Sequence, residues 1–303
     1  MLDTIRKTWR EHKRTQPASK EIAVYGDSFV DPNCSAASSL GALAGDYWIP
    51  AWSCLLVAHY EPRLADRVNA QDCTRFPHVF GRSGVSNWYT YQRFLKNYHE
   101  YKRIVWVWTN KSRWPYLPES LAGHHFNVTN MHHLIEKSSG RDYLVESSDL
   151  ALLEQMNQVY TSIYPEALMD FINNSIFLDV QRRCQDRGIA LVNITIDDDY
   201  TTQWPLTDYP MFRGLNAVSW REPSGVDGEL MRDIINERFL VEMRTCHLNT
   251  LNNQLLRDLV IANLDQNTAC YKSLPDDYTW NWSVDPLVQK FYLNYQTLVY
   301  GSK

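Results

Sequence analysis

Four short apolar runs stand out along the chain, and each has the length of a buried strand. They cover residues 22–25, 78–80, 104–108 and 189–194. Segments with a helical spacing of apolar residues lie between them, at 52–59, 88–101 and 168–187. Near-continuous apolar strands that alternate with helices are typical of a parallel sheet covered on both faces. The pattern therefore predicts an α/β fold with a doubly wound, mostly parallel sheet, in which regular structure begins at Glu21.

The other segments are predicted to surround this core. A length of 303 residues favours one main domain, which we place at 21–265 after a basic N-terminal arm or helix at 1–20. Residues 111–150 are rich in proline, glycine and polar side chains, which predicts an insertion over one edge of the sheet. Residues 266–303 form an aromatic-rich C-terminal extension that is expected to pack on the domain. Residues 197–228 are predicted to be a loop, followed by helices at 229–243 and 250–263.

Composition and charge exclude several classes of partner. The formal charge is −5, and basic residues are mostly interleaved with acidic ones, so we expect no nucleic-acid partner. The N-terminus lacks the apolar core of a signal peptide, and no apolar run is long enough to cross a bilayer. We therefore expect a soluble cytoplasmic protein without a membrane partner. The six cysteines form no C-x-x-C pair and are expected to be mostly reduced.

Two clusters invite a metal interpretation but lack the spacing of a metal site. Histidine pairs occur at 124–125 and 132–133, and three aspartates follow one another at 197–199. Adjacent side chains project in different directions, no acidic residue lies between the histidine pairs, and the aspartates do not have EF-hand spacing. We expect neither a metal nor another cofactor.

Residues that could take part in catalysis follow the first three predicted strands. Ser28 closes the tripeptide Gly26-Asp27-Ser28 after the first strand, Gly84 follows the second and Asn110 follows the third. In an open parallel sheet the carboxyl ends of the strands form the ligand crevice. His247 lies far downstream, just before a helical segment, from which it could face the same edge. Each of these residues alone has a simpler structural explanation as a turn, a helix cap or an ordinary histidine.

Taken together and in this order, the four residues resemble the SGNH hydrolase superfamily, also called the GDSL esterases. The resemblance covers about residues 21–259 apart from the insertion, and it implies a flavodoxin-like three-layer sandwich. It also implies that Ser28 is the nucleophile and that His247 is its general base. The oxyanion hole would consist of the backbone N–H groups of Ser28 and Gly84 and the side-chain amide of Asn110.

The chain departs from the family pattern at two positions. Arg244 stands three residues before His247, where the family usually has the aspartate that orients the histidine, and Lys111 replaces the aspartate that often follows Asn110. A backbone carbonyl or a carboxylate such as Glu242 or Asp227 is then expected to orient the ring. Loss of the third member of a catalytic triad can cost about 10⁴ in rate, so a slow or inactive enzyme is one expectation.

Two functions from different classes follow from these features. The leading hypothesis is a serine esterase that acts through an acyl-serine intermediate on a small acyl ester, most reasonably an O-acetylated glycan. Clusters of aromatic residues that include Trp106, Trp108, Tyr278 and Trp280 also suit carbohydrate, although aromatic side chains serve cores first. The alternative is a noncatalytic SGNH-like binding or structural module with a protein assembly partner, for example in a virus particle, where it would be virion-associated.

Overall fold

The computed structural model describes residues 19–32, 51–70, 76–82, 85–111, 113, 155, 158, 166–196, 207–215, 248, 250–266 and 271–274. Within these ranges lie six strands and five α-helices. The strands are β1 (Lys20–Gly26), β2 (Val79–Gly81), β3 (Tyr101–Trp108), β4 (Ala190–Thr195), β5 (Met211–Arg213) and β6 (Tyr271–Ser273). The α-helices are α1 (Trp52–Tyr60), α2 (Ala65–Asn69), α3 (Asn87–Asn97), α4 (Glu166–Gln185) and α5 (Thr250–Gln266), and two 3₁₀ turns cover Pro62–Leu64 and Tyr98–Glu100.

The described strands form one sheet in the order β2-β1-β3-β4-β5-β6, and every neighbouring pair is parallel. Val24 of β1 lies between Val79 of β2 and Val105 of β3, and Val105 pairs in turn with Val192 of β4. The chain first adds β2 on one side of β1 and then returns to add β3 on the other side. The direction of strand addition therefore reverses between β1 and β3.

Helices cover both faces of this sheet. Alternate residues of each central strand point to opposite faces, because side chains in a strand alternate with a period of two. One core contains Ile22 and Val24 of β1 and packs against α1 and α5, whereas the other contains Ala23 and Tyr25 and packs against α3 and α4. The molecule is thus an α/β protein with a parallel sheet between two helical layers, as the alternation of apolar runs predicted.

The four predicted strands and four of the five predicted helices are confirmed, with changes at their ends. The predicted helix at 88–101 ends at Asn97 and continues as the 3₁₀ turn, and Tyr101 is already the first residue of β3. The prediction of a loop throughout 197–228 is wrong at β5, and β6 adds a sixth strand in the predicted C-terminal extension. The helix at 229–243 and most of the insertion at 111–150 lie outside the described residues, as does the N-terminal arm up to residue 18.

The described residues also bear on two further predictions. Cys54 and Cys184 are buried and form no disulfide, as expected for reduced structural cysteines. Burial raises the pKa of the Cys184 thiol, which keeps this group protonated and unreactive. Among the helices of the described ranges, none is both long enough and apolar enough to span a bilayer.

Candidate functional site

Ser28 lies in a tight turn immediately after β1. The backbone carbonyl of Asp27 accepts hydrogen bonds from the N–H groups of Val30 and Asp31, each at 3.0 Å, and the Asp27 Oδ1 atom accepts one from Phe29 N–H at 3.1 Å. The three amides that follow Ser28 are therefore all bound to Asp27. Ser28 is 3% exposed, and among the described residues neither its N–H nor its hydroxyl has a hydrogen-bond partner.

Two glycines let the neighbouring loops approach this turn. A Cβ atom on Gly26 would lie 2.5 Å from Cγ2 of Val30 and 2.9 Å from Cβ of Val107 on β3. A Cβ atom on Gly81 at the end of β2 would lie 2.4 Å from the backbone nitrogen of Asp31. Such distances are shorter than any ordinary van der Waals contact, so both positions require glycine. The turn that carries Ser28 is thereby packed closely against the ends of β2 and β3.

The Asp27 carboxylate is an internal anchor of this edge. Asp27 is fully buried, and its Oδ2 atom accepts a hydrogen bond from the Thr109 hydroxyl at 2.8 Å. The same oxygen forms an ion pair with Nη1 of Arg113 at 2.7 Å, and the Arg113 side chain is 15% exposed. A buried carboxylate needs a partner of this kind, because an isolated buried charge is strongly unfavourable.

Arg113 joins the loops that follow three adjacent strands. Besides its ion pair with Asp27 after β1, its Nη1 atom donates a hydrogen bond to the carbonyl of Val85 after β2, at 3.2 Å. Its backbone N–H donates to the carbonyl of Asn110 after β3, also at 3.2 Å. Arg113 thus links the segments after β1 and β2 through its guanidinium, and the segment after β3 through its backbone N–H.

A second set of hydrogen bonds joins the end of β3 to the helical layer formed by α3 and α4. Asn87, the first residue of α3, accepts from Thr109 N–H at 3.0 Å through Oδ1 and donates to the Thr109 carbonyl at 3.0 Å through Nδ2. Its Nδ2 atom also donates to Oδ1 of Asn173 on α4 at 2.8 Å, and Nδ2 of Asn173 donates to the Lys111 carbonyl at 3.2 Å. Both asparagine side chains are buried. The backbone on either side of Asn110 is therefore held by buried amides.

The structure places two of the predicted site residues. Ser28 follows β1 and the half-buried Asn110 follows β3, and these two strands are neighbours in the sheet. Lys111, one of the two departures from the family pattern, pairs through Nζ with Oδ1 of Asp170 on α4 at 2.9 Å. The other predicted residues, namely Gly84, His247, Asp227, Glu242 and Arg244, lie outside the described residues.

The position of Ser28 and Asn110 within the sheet has a general significance. In doubly wound sheets, ligands bind outside the carboxyl ends of the strands, at the point where strand addition reverses. That point lies between β1 and β3, where Ser28 and Asn110 are. Comparisons with protein-family models, with curated proteins and with solved structures return no match. The geometry of this edge and the sequence therefore carry the functional argument.

Several residues of the site were not predicted from the sequence. Asp27 and Thr109 lie at predicted strand ends, so the strand pattern could have indicated them. Asn87 and Asn173 are buried polar residues within helical patterns, which is a weak signal, and nothing in the sequence singles out Arg113. The stacked pair Trp106 and Trp108, with ring centroids 4.5 Å apart, is fully buried and belongs to the core rather than to a sugar-binding platform.

Proposed function

We propose that this chain is a serine esterase of the SGNH type in which Ser28 is the nucleophile. The observation that supports this most directly is the pattern of hydrogen bonds in the turn that contains Ser28. The N–H groups of the next three residues all bind Asp27, whereas the N–H and hydroxyl of Ser28 have no partner among the described residues. Buried backbone N–H groups without a partner are rare in native proteins, and they are expected where a ligand is bound.

The fold supports the same assignment. The order β2-β1-β3-β4-β5 is that of flavodoxin-like doubly wound sheets, which bind their ligands between the first and third strands. An SGNH-type domain is a sandwich of this kind, as the resemblance implies. The loops after β1, β2 and β3 are joined by Arg113, so donors on these loops are fixed before a substrate arrives. Preorganised donors of this kind are what oxyanion stabilisation requires.

The proposed reaction follows from the chemistry of these groups. The Ser28 hydroxyl attacks the carbonyl carbon of an acyl ester while His247 takes its proton, and the carbonyl oxygen becomes an oxyanion. The N–H groups of Ser28 and Gly84 and the Asn110 amide stabilise that charge, and removal of one such donor typically costs roughly 3 to 4 kcal/mol of transition-state stabilisation. The alcohol leaves with the proton from His247, and water then hydrolyses the acyl-serine. We propose an O-acetylated glycan as the substrate class.

Covalent labelling tests this proposal with matched controls. The full-length chain is treated with a fluorophosphonate probe and assayed in parallel with p-nitrophenyl acetate, as the native protein and as Ser28→Ala and His247→Ala. Ser175→Ala and His59→Ala serve as controls. Ser175 lies exposed on α4, where its hydroxyl donates a hydrogen bond to the Phe171 carbonyl, and His59 lies exposed on α1. We expect labelling and turnover to be lost in Ser28→Ala, turnover to be strongly reduced in His247→Ala, and both controls to match the native protein.

One observation favours the noncatalytic module as a second candidate. Ser28 is only 3% exposed, whereas a nucleophile must be reached by its substrate. If the folded native protein neither labels nor hydrolyses the ester, the esterase proposal is wrong and the binding or structural role stands. Labelling that persists in Ser28→Ala would also contradict it, because another residue would then be the nucleophile.

A further inference from the structure

Two arginines converge on one tyrosine at the carboxyl edge of the sheet. Arg82 follows the last residue of β2, and its Nη1 atom donates to the Tyr89 hydroxyl at 3.2 Å. Arg93, one turn further along α3, donates from Nη2 to the same hydroxyl at 2.9 Å. Both guanidinium carbons also lie near the Tyr89 ring centroid, at 5.8 Å and 5.4 Å. We call these three residues the Arg82–Tyr89–Arg93 cluster.

The charges of this cluster are not balanced. Within the ranges that the structure describes, neither Arg82 nor Arg93 has a carboxylate partner, although most other arginines there form ion pairs with acidic groups. Two like charges that approach the same oxygen repel each other unless an anion lies between them. The chain as a whole is acidic, with a formal charge of −5, so a local excess of positive charge is a specific feature of this surface.

The Tyr89 hydroxyl adds a third donor. Its oxygen accepts from both guanidinium groups, and among the described residues no acceptor is placed for its own proton. Burial acts to raise the pKa of Tyr89, but the hydrogen bonds from Arg82 and Arg93 outweigh it, so the pKa lies below its ordinary value. This direction reports a positive potential at the phenol. Tyr89 also lies in the first turn of α3, where the helix dipole contributes in the same sense.

The cluster is exposed enough for a ligand to reach and lies near Ser28. Arg82 and Tyr89 are half-buried and Arg93 is exposed. Gly81, which precedes Arg82, packs against the backbone of Asp31 in the Ser28 turn. The cluster and the Ser28 turn therefore belong to the same edge of the sheet.

We propose that the Arg82–Tyr89–Arg93 cluster binds an oxyanion group of a ligand, of the phosphate, sulfate or carboxylate class. Guanidinium groups present parallel donors that match the oxygens of these anions, and charge-assisted hydrogen bonds of this type are the strong ones. The anion accepts from both arginines and from the phenol proton, which resolves the unbalanced charge. The site does not depend on the catalytic role of Ser28.

Titration with small anions tests this site. Inorganic phosphate, sulfate and acetate are titrated separately into the full chain by isothermal calorimetry, at an ionic strength held constant with sodium chloride. Arg82→Gln, Arg93→Gln and Tyr89→Phe are compared with Arg182→Gln, in which an exposed arginine of α4 loses its ion pair with Asp179. We expect saturable binding of at least one anion, weakened about tenfold or more by each arginine substitution, less by Tyr89→Phe, and unchanged by Arg182→Gln.

The anion that binds best identifies the class of oxyanion. Circular dichroism of each variant establishes that it is folded, and exposed or half-buried arginines are tolerant positions for glutamine. The absence of saturable binding for all three anions at millimolar concentration would overturn the proposal. Binding that is equally strong in Arg82→Gln and Arg93→Gln would do so as well, because the anion would then be held elsewhere.

Discussion

The buried ion pair between Asp27 and Arg113 permits the sharpest test of how this edge is held together. In Asp27→Asn the side chain keeps its shape and its Oδ1 atom can still accept from Phe29 N–H. An NH2 group replaces the oxygen that faces Thr109 and Arg113, so the guanidinium of Arg113 loses its counter-charge. Asp27 is fully buried and the Arg113 side chain is 15% exposed, so water compensates for little of this loss. The substitution therefore removes the charge interaction while the packing of the side chain stays the same.

The expected magnitude follows from the geometry. At 2.7 Å and an effective dielectric constant of about 20, the attraction is roughly 6 kcal/mol before desolvation is subtracted. Removal of one partner of a buried pair typically costs about 3 to 5 kcal/mol. We expect Asp27→Asn to lose about 3 kcal/mol of unfolding free energy, which corresponds to a fall of about 1 to 3 M in the urea midpoint.

A double-mutant cycle measures the interaction itself. Arg113→Met removes the other charge, and in the double variant no unpaired charge remains. We expect the double variant to be more stable than the sum of the single losses predicts, by about 2 kcal/mol. Urea unfolding followed by tryptophan fluorescence and by circular dichroism gives the four free energies, and Arg182→Met on the exposed face of α4 is the control that should leave the midpoint unchanged. Single losses below about 1 kcal/mol, or strictly additive ones, would refute the reasoning.

Three further predictions concern other contacts of the sheet. In a urea denaturation assay, Gly81→Ala should lose about 2 kcal/mol or more of unfolding free energy, because its Cβ would meet backbone at 2.4 Å. The control Gly188→Ala should lose only about 1 kcal/mol, because Gly188 has a φ of +63° but lies in open space. Asn87→Leu should cost about 2 to 3 kcal/mol by leaving the backbone after β3 without its buried partners, and equal stability to the native protein would contradict this. Burial lowers the pKa of His78 below its ordinary value despite the nearby Glu61, so the unfolded chain binds the proton more tightly and stability falls as the pH drops through about 6.5. In His78→Asn, which suits the positive φ of 66° at this position, the decline in unfolding free energy between pH 7.5 and 5.5 should be smaller, and an unaltered pH profile would argue against it.

The central part of the fold could be predicted from the sequence because its strands are buried on both faces. β1, β3 and β4 are near-continuous apolar runs, and such runs are visible without any partner. β5 and β6 have three residues each, too few to show an apolar run of strand length, so only their pairing in the sheet identifies them as strands. The helical spacing of apolar residues also continues into the first residue of β3, so the sequence predicted a helix there. Phe94, Tyr98 and Tyr101 are buried at intervals of four and three residues, yet the last of them already pairs with Lys20 of β1.

The same distinction between local and long-range information applies to the candidate site. The placement of Ser28 and Asn110 at one edge follows from strand ends in a parallel sheet, and local sequence carries that information. The contact of Arg113 with Asp27 does not, because it joins segments that are far apart in the chain and arise from different loops. The same holds for the Arg82–Tyr89–Arg93 cluster. Its members are near in sequence, but only the relative placement of β2 and α3 brings the two guanidinium groups to one hydroxyl.

The tripeptide Gly26-Asp27-Ser28 can now be separated into structural and functional parts. Gly26 is required because Val30 and Val107 leave no space for a Cβ atom. Asp27 is required because its carboxylate holds Arg113 and Thr109 and its carbonyl closes the turn. These two residues would be needed in this fold whether or not the protein catalyses a reaction, so their presence is no argument for an esterase. Ser28 is different, since no contact among the described residues requires a serine there. A buried polar residue without a structural partner is best explained by the binding of a ligand. We therefore expect Ser28→Ala to spare stability and to abolish function.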